Sequence, residues 1–261
     1  MSWNRGSRRP PFPRLGLGPA TRRGGLALLA FLAIAAPCRA DPFGEARSRM
    51  IRDIQADLAL TRAQVGIDRF SDTVLAALAR VPRHEFVPAE YRDAAYENRP
   101  LPIGHGQTIS QPYIVALMTE LVRVGPGSRV LEVGTGSGYQ AAVLAELGAR
   151  VYTIEIIEPL AAAARDRLAR LGYRTVECRT GDGYYGWPEA APFDAIVVTA
   201  AAHHVPPPLV RQLKPGGRMV IPVGGPFRIQ TLTVVETDGA GRVTSRELLP
   251  VRFVPLTGGP R

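Results

Sequence analysis

Cysteine is almost missing from this chain: 261 residues contain two, Cys38 and Cys178. Cys38 lies in an N-terminal segment that reads as removable. Without it Cys178 stands alone, which excludes an internal disulfide and a cysteine metal site. Cys178 falls in an expected strand and reads as a small buried hydrophobe. Long apolar runs are missing too. The run Leu26–Ala36 is too short for a transmembrane helix. No internal repeat or low-complexity tract occurs beyond the N-terminus. Acidic residues are absent from residues 1–40, which hold seven arginines (Arg5, Arg8, Arg9, Arg14, Arg22, Arg23 and Arg39). Setting those seven aside reduces the net charge of +9 to +2 for residues 41–261. A nearly balanced folded part argues against a nucleic-acid partner. What remains, 46% hydrophobic and 21% charged, can bury a globular core.

The arginines of residues 1–40 precede the short apolar run, and Cys38-Arg39-Ala40 forms a small-residue cleavage site before Asp41. This is the three-part layout of a signal peptide. Thr21-Arg22-Arg23 matches a twin-arginine signal loosely.

Residues 44–66 are polar and helix-prone. Ser71–Arg80 predicts a second helix, with Ser71 as N-cap and Val74, Leu75 and Leu78 on one face. Pro82 stops it. A long stretch punctuated by Pro88, Pro100, Pro102, Gly104 and Gly106 reads as irregular and, by its length, functional. Gln111–Val122 predicts a helix with Ser110 as N-cap and Pro112 in its first turn.

From Arg129 the pattern alternates strand and helix, the mark of a doubly wound parallel sheet. Strands are expected at Val130–Val133, Arg150–Glu155, Tyr173–Arg179, Phe193–Thr199 and Arg218–Val223, with helices at Pro159–Leu171 and Pro208–Leu213. Pro215-Gly216-Gly217 is expected to stop the second of these helices. Gln230–Thr237 and Arg242–Val254 follow as a C-terminal hairpin turned at Asp238-Gly239. The fold class is thus α/β, a Rossmann-like sheet of about seven strands with a helical N-terminal extension.

The chemistry centres on VLEVGTGSG, Val130–Gly138. An apolar strand runs into Gly134, Gly136 and Gly138, and a helix follows with Gly148 as its C-terminal cap. Glycine allows positive φ and close backbone approach, and the helix start offers free N–H groups. Glu155 ends the next strand, where an acid binds a ribose diol in nucleotide-binding α/β folds. Asp182 in Gly181-Asp182-Gly183 follows the third strand, and its carboxylate and the close backbone suit an adenine edge. The spacing is G-x-G-x-G rather than the G-x-G-x-x-G that favours a pyrophosphate. With Glu132 ahead of the turn and the later Gly-Asp-Gly, it favours S-adenosyl-L-methionine.

Here the chain resembles the class I methyltransferases that use this donor. Arg80–Pro88 (RVPRHEFVP), Leu101–Val122, Val130–Gly148, Gly181–Ala201 and Leu213–Gly224 together resemble the protein-L-isoaspartate O-methyltransferase family, over roughly residues 70–256. The G-x-G-Q-T-I-S-x-P segment is the most specific piece. The resemblance implies that Ser110 is catalytic and that Thr108, Ile109, Pro222, Val223 and Gly224 meet substrate. It implies that Glu132, Gly134, Gly136, Gly138, Glu155, Asp182 and Gly183 hold the donor, with no metal. Residues 1–40 depart from the family, whose soluble bacterial members lack an export-like segment, and the expected domain order is 1–40 signal-like segment, 41–125 helical and substrate-loop region, 126–261 donor-binding core.

The implied substrate is the free α-carboxylate of an L-isoaspartyl residue in a damaged protein or peptide. A carboxylate is ionised at pH 7 and needs no general base. Its methyl ester closes to a succinimide, and hydrolysis restores some normal aspartate. Neither nucleic acid nor a stable membrane span is implied, and the chain is expected to be a monomer. Two other readings stay open: a methyltransferase for another carboxylate or small molecule, and a non-catalytic donor-binding envelope protein. His203-His204 departs from the family pattern and reads as a solvated loop, because adjacent histidines point different ways. His84 is isolated, and His105 between two glycines is a candidate substrate contact. The compartment is undecided: cytoplasmic by resemblance and donor supply, exported by residues 1–40. Intact-mass analysis of the cellular protein decides it. A chain beginning at Asp41 marks export, and one beginning at or before Met50 without cleavage excludes it.

Overall fold

The computed structural model describes residues 41–225 and 228–260. The signal-like segment 1–40 lies outside the described residues. Asp41 opens the fold, its carboxylate accepting from the Phe43 amide and pairing with Arg47 at 2.9 Å. Helix α1 (Gly44–Val65) buries Met50, Ile54, Leu58 and Val65, the spacing of one helical face. Gly66, at φ 70°, ends it. Helix α2 (Asp72–Arg80) starts as expected, with Ser71 accepting from the Val74 amide.

The stretch expected to be irregular contains order. After two single 3-10 turns, Arg83–Phe86 and Ala89–Tyr91, strands β1 (Leu101–Gly104) and β2 (Gln107–Ile109) pair as a hairpin. His105 and Gly106 turn it with φ of 51° and 71°, both positive as a two-residue hairpin turn requires. Helix α3 (Pro112–Leu121) begins one residue later than expected. Its N-cap is Gln111, which makes no side-chain cap. Ser110 is therefore not the cap. Asn98 takes that role from a distance, accepting from the Tyr113 amide at 3.0 Å, while Asp57 of α1 accepts from both Asn98 and Gln111.

Strand β3 (Arg129–Val133), helix α4 (Tyr139–Glu146), strand β4 (Arg150–Glu155) and helix α5 (Glu158–Arg170) follow the expected alternation. Strand β5 (Val176–Thr180) starts later than expected, because the turn that ends α5 at Gly172 takes up Tyr173. Strand β6 (Phe193–Val198) and the short helix α6 (Pro207–Val210) follow. Pro215-Gly216-Gly217 does not separate helix from strand. It lies inside β7 (Leu213–Val223), where the pairing with β6 jumps from Leu213 to Arg218. That bulge accommodates a proline that a regular ladder would exclude. Strands β8 (Gln230–Thr237) and β9 (Val243–Val251) form the expected antiparallel hairpin.

The seven-stranded sheet has the order β5-β4-β3-β6-β7-β8-β9. The chain leaves β3 toward β4 on one side and returns to β6 on the other. A crevice opens at such a reversal, beyond the carboxyl ends of the strands. One apolar cluster joins Val130, Val151, Ala195 and Val197 to α1–α4, and the other gathers Leu131, Val133, Ile154, Ile196 and Met219 on the opposite face. Among the described residues no helix is long and apolar enough to cross a membrane.

The Asn98 contact to α3 is the test of this reading. Asn98→Ala is expected to lower unfolding free energy by about 1 kcal/mol, the worth of a helix cap. Urea denaturation of wild type and variant checks it, and an unchanged midpoint would remove the capping role.

Candidate functional site

The glycine turn after β3 is shaped by what surrounds it. Gly134, Gly136 and Gly138 have φ of 95°, 52° and 88°. A Cβ on Gly134 would stand 2.5 Å from Thr199 Oγ1. A side chain there would be strained by the φ and would displace the Thr199 hydroxyl from its bonds to the Val133 and Gly134 carbonyls. Gly138 is the N-cap of α4, and a Cβ there would meet Leu168 at 3.1 Å. The amide of Gly136 donates to Glu155 Oε2 at 2.8 Å, and Ile157 donates to Oε1 at 3.0 Å. Glu155 thus ties the turn to the end of β4. Each of its oxygens keeps a second lone pair for a ligand hydroxyl.

A cavity lies over this turn. Glu132, Gly134, Gly136, Glu155 and Gly183 line it, together with Thr108, Ile109 and Ser110 from the other side. Gly138 packs behind it. Asp182 does not line it: its carboxylate accepts from the Tyr184 amide at 2.9 Å and from Gly259 of the C-terminal tail at 2.8 Å. That anchor holds the tail in place, and Val254–Thr257 form part of the wall. The sequence carried no local sign of the tail's role, because the position depends on the bridge between Ala201 and Pro255.

Glu132 stands on the face of β3 that Val130 turns toward the apolar cluster, and it is fully buried. Thr153, its partner across the sheet, donates to Oε2 and also meets Thr135 at 2.6 Å. Its Oε1 has no partner. Burial pushes the carboxyl up to about 8, with the nearby Glu155 charge acting in the same direction. A buried carboxyl at the cavity wall with one oxygen free, a glycine turn drawn tight at Gly134 and an acid at the next strand end fit an adenosyl amino acid. Glu132 would face its ammonium group and Glu155 its ribose diol.

A second cavity adjoins the first. Thr108, Ser110, Thr199 and Val254 line both, and Ile114, Ile229 and Phe253 widen the second. Ser110 is half-buried. Its carbonyl accepts from Arg83, and its hydroxyl is free of the capping duty expected from the sequence. Pro222, Val223 and Gly224 line neither cavity. They are tied back by backbone bonds to Ala202. His105 sits at the hairpin tip, away from both. His204 reaches the Tyr184 hydroxyl at 3.3 Å. Cys178 is half-buried on β5, and burial pushes its thiol up to about 11. Among the described residues no group of three metal-ligating side chains comes together.

Comparison with known proteins shows the family. The family model described as Protein-L-isoaspartate(D-aspartate) O-methyltransferase matches residues 58–261. A Syntrophobacter fumaroxidans protein named Protein-L-isoaspartate O-methyltransferase 2 is 65% identical over 219 residues, 84% of this chain and 89% of the relative. A Cupriavidus necator protein named Protein-L-isoaspartate O-methyltransferase 1 is 62% identical over 235 residues, 88% and 91% of the two chains. A solved protein-L-isoaspartate O-methyltransferase superposes with a TM-score of 0.71 at 31% identity, covering 81% of this chain and 66% of its own. A Plasmodium falciparum beta-aspartate methyltransferase in complex with S-adenosyl-L-homocysteine gives 0.63 at 26% identity, covering 79% and 97%.

The raised carboxyl of Glu132 has a measurable consequence in the ligand-free protein. Its folded-state value of about 8 lies above the ordinary 4.5, so between those values the native state binds the extra proton. Stability must then fall as pH rises through this window and level off above it. Between pH 6 and 9 wild type is expected to lose about 2 kcal/mol relative to Glu132→Gln. Urea unfolding at both pH values checks it. Parallel slopes would mean that Glu132 is already ionised at pH 6.

Proposed function

The chain belongs to the protein-L-isoaspartate(D-aspartate) O-methyltransferase family, and on that premise we propose how its residues divide the work of methyl transfer. It methylates the free α-carboxylate of L-isoaspartyl residues in damaged proteins and peptides, with S-adenosyl-L-methionine as donor. One observation carries the assignment of residues: Thr108 and Ser110 line both the cavity over the glycine turn and the second cavity, with Ile109 between them on the first. A transfer between two bound molecules needs such a shared wall.

The bound donor supplies an electrophilic methyl group. Glu132 and Glu155 hold it against the glycine turn, and Gly183 lets its ring lie close to the strand ends. Asp182 supports this wall through the C-terminal tail. The substrate carboxylate enters from the second cavity. It is ionised at neutral pH and needs no base. The hydroxyls of Ser110 and Thr108 donate to its non-attacking oxygen and fix the direction of the other. The contribution is one of orientation, for which small displacements cost large factors. Residues flanking the isoaspartate run past Ile229 toward the β7 end, where Pro222, Val223 and Gly224 lie. The ester then closes to a succinimide without further help from the protein.

Residues 41–125 supply the Thr108-Ile109-Ser110 segment and residues 126–261 the glycine turn and its acids, while the second cavity takes wall from both, with Ile114 from the first region and Ile229 and Phe253 from the second. A monomer suffices, since the described chain lines both cavities itself. The compartment is either the cytoplasm, where the donor is made, or the far side of the membrane if residues 1–40 are removed on export.

Transfer of labelled methyl from the donor to a matched peptide pair tests the reading. The isoaspartyl peptide is expected to be methylated and the aspartyl peptide not. Donor binding with transfer to neither peptide would overturn the substrate assignment. Ser110→Ala is expected to lower turnover about 10- to 100-fold while leaving the urea midpoint nearly unchanged, because the hydroxyl caps nothing. Equal turnover per folded molecule would sink the role of Ser110.

A further inference from the structure

The 3-10 turn Arg83–Phe86 has no part in the chemistry above, yet it places a cation deep inside the protein. Arg83 is fully buried, and among the described residues no carboxylate lies within ion-pair distance of it. An unpaired buried guanidinium is costly. An apolar side chain of similar length would fill the space without that cost, so the guanidinium's contacts bear on why it is there.

Those contacts are specific. Nε donates to the Ala95 carbonyl at 2.7 Å, and one terminal nitrogen donates to the Ser110 carbonyl at 2.8 Å. The guanidinium lies over the Tyr139 ring, 4.7 Å from its centroid. Phe86, from the same turn, meets that ring edge-on with centroids 5.5 Å apart. Tyr139 is the first residue of α4, directly after the glycine turn, and it lines the donor cavity. Ser110 lines both cavities. One side chain therefore bonds the backbone of the substrate segment and stacks on the helix that carries the donor site. A lysine could not do both, since its ammonium is a point charge without a plane to stack or a fork to split between two carbonyls.

We propose that Arg83 is a positioning residue, setting the register of the Ser110 segment against α4 and the glycine turn so that substrate carboxylate and methyl group align. Holding the Ser110 carbonyl fixes the peptide plane that follows Ser110 and so limits where its Cα–Cβ bond, and with it the hydroxyl, can point. The proposal rests on the assignment of Ser110 made above.

The test is a double-mutant cycle on the full chain with Arg83→Lys, Ser110→Ala and the pair. The probes are an isoaspartyl peptide for kcat and KM, and S-adenosyl-L-homocysteine for affinity at the donor site. Arg83→Lys is expected to lower kcat per folded molecule about 10- to 50-fold and to change the S-adenosyl-L-homocysteine Kd by less than about 3-fold. In the Ser110→Ala background the same change is expected to lower kcat by less than about 3-fold, because coupled residues are non-additive. A merely structural Arg83 lowers the folded fraction and leaves kcat per folded molecule intact, which overturns the proposal. Equal losses in both backgrounds overturn it as well, since Arg83 would then act independently of Ser110. Should the lysine variant not fold, Arg83→Gln, which buries a donor without a charge, carries the same cycle. Full kcat in Ser110→Ala alone overturns the serine assignment, and the kcat of the single Arg83 variant then decides this proposal by itself.

Discussion

The fold depends on how closely the backbone ends of four strands are drawn together. At Gly134 a Cβ would displace the Thr199 hydroxyl. At Gly183 a Cβ would stand 2.4 Å from Val133 Cγ1. The Gly134 amide donates to Ile154, the Thr199 hydroxyl donates to the Gly134 carbonyl, and the Gly136 amide donates to Glu155. These contacts join the ends of β3, β4 and β6, while Gly183 closes on them after β5. A side chain at Gly134 or Gly183 would push the ends apart and open the cavity floor. The reversal of strand order at β3 decides where the crevice lies, and the missing side chains decide how near a ligand can come to the backbone.

Much of this was legible because it is local. Strands β4 and β8 begin and end where alternation and apolar content place them. The three glycines carry the positive φ that their spacing implied. Glu155 sits at the end of its strand because its position was a matter of counting from the turn. Other features depend on partners far away in the chain. Pro215-Gly216-Gly217 reads as a stop, yet β6 offers a bulge that absorbs it. The β1–β2 hairpin is hidden by its prolines and glycines, although His105-Gly106 has the chemistry of a two-residue turn. Ser110 looks like a helix cap because a serine ahead of Gln-Pro usually is one. Nothing near it in sequence reveals that Asn98 and Asp57 do this work. The C-terminal tail was invisible for the same reason, since its anchor is the carboxylate of Asp182, 77 positions away.

The displacement of the cap from Ser110 to Asn98 has a functional reading. A hydroxyl that caps a helix points at backbone amides and has little freedom to face a ligand. With Asn98 holding the Tyr113 amide, the start of α3 is satisfied from outside. Stability and orientation are thereby separated: one side chain closes the helix, and another is left at the junction of two cavities.

The hydroxyls around that junction are not equivalent. Thr199 donates into the glycine turn, and Thr135 is paired with Thr153. Of the three hydroxyl side chains that line both cavities, Thr199 is engaged, which leaves Ser110 and Thr108 to meet an incoming group. Neither cavity is lined by a histidine, cysteine or lysine among the described residues. The second cavity, from which the substrate enters, is also lined by no carboxylate among the described residues, and Glu132 with its raised pKa lines only the donor cavity, so an alcohol or amine that had to lose a proton would find no base on its own side. A carboxylate arrives already ionised and needs only donors to direct it. Two free hydroxyls beside a donor cavity meet that requirement, and the absence of a base then favours the carboxylate over substrates that this site cannot activate.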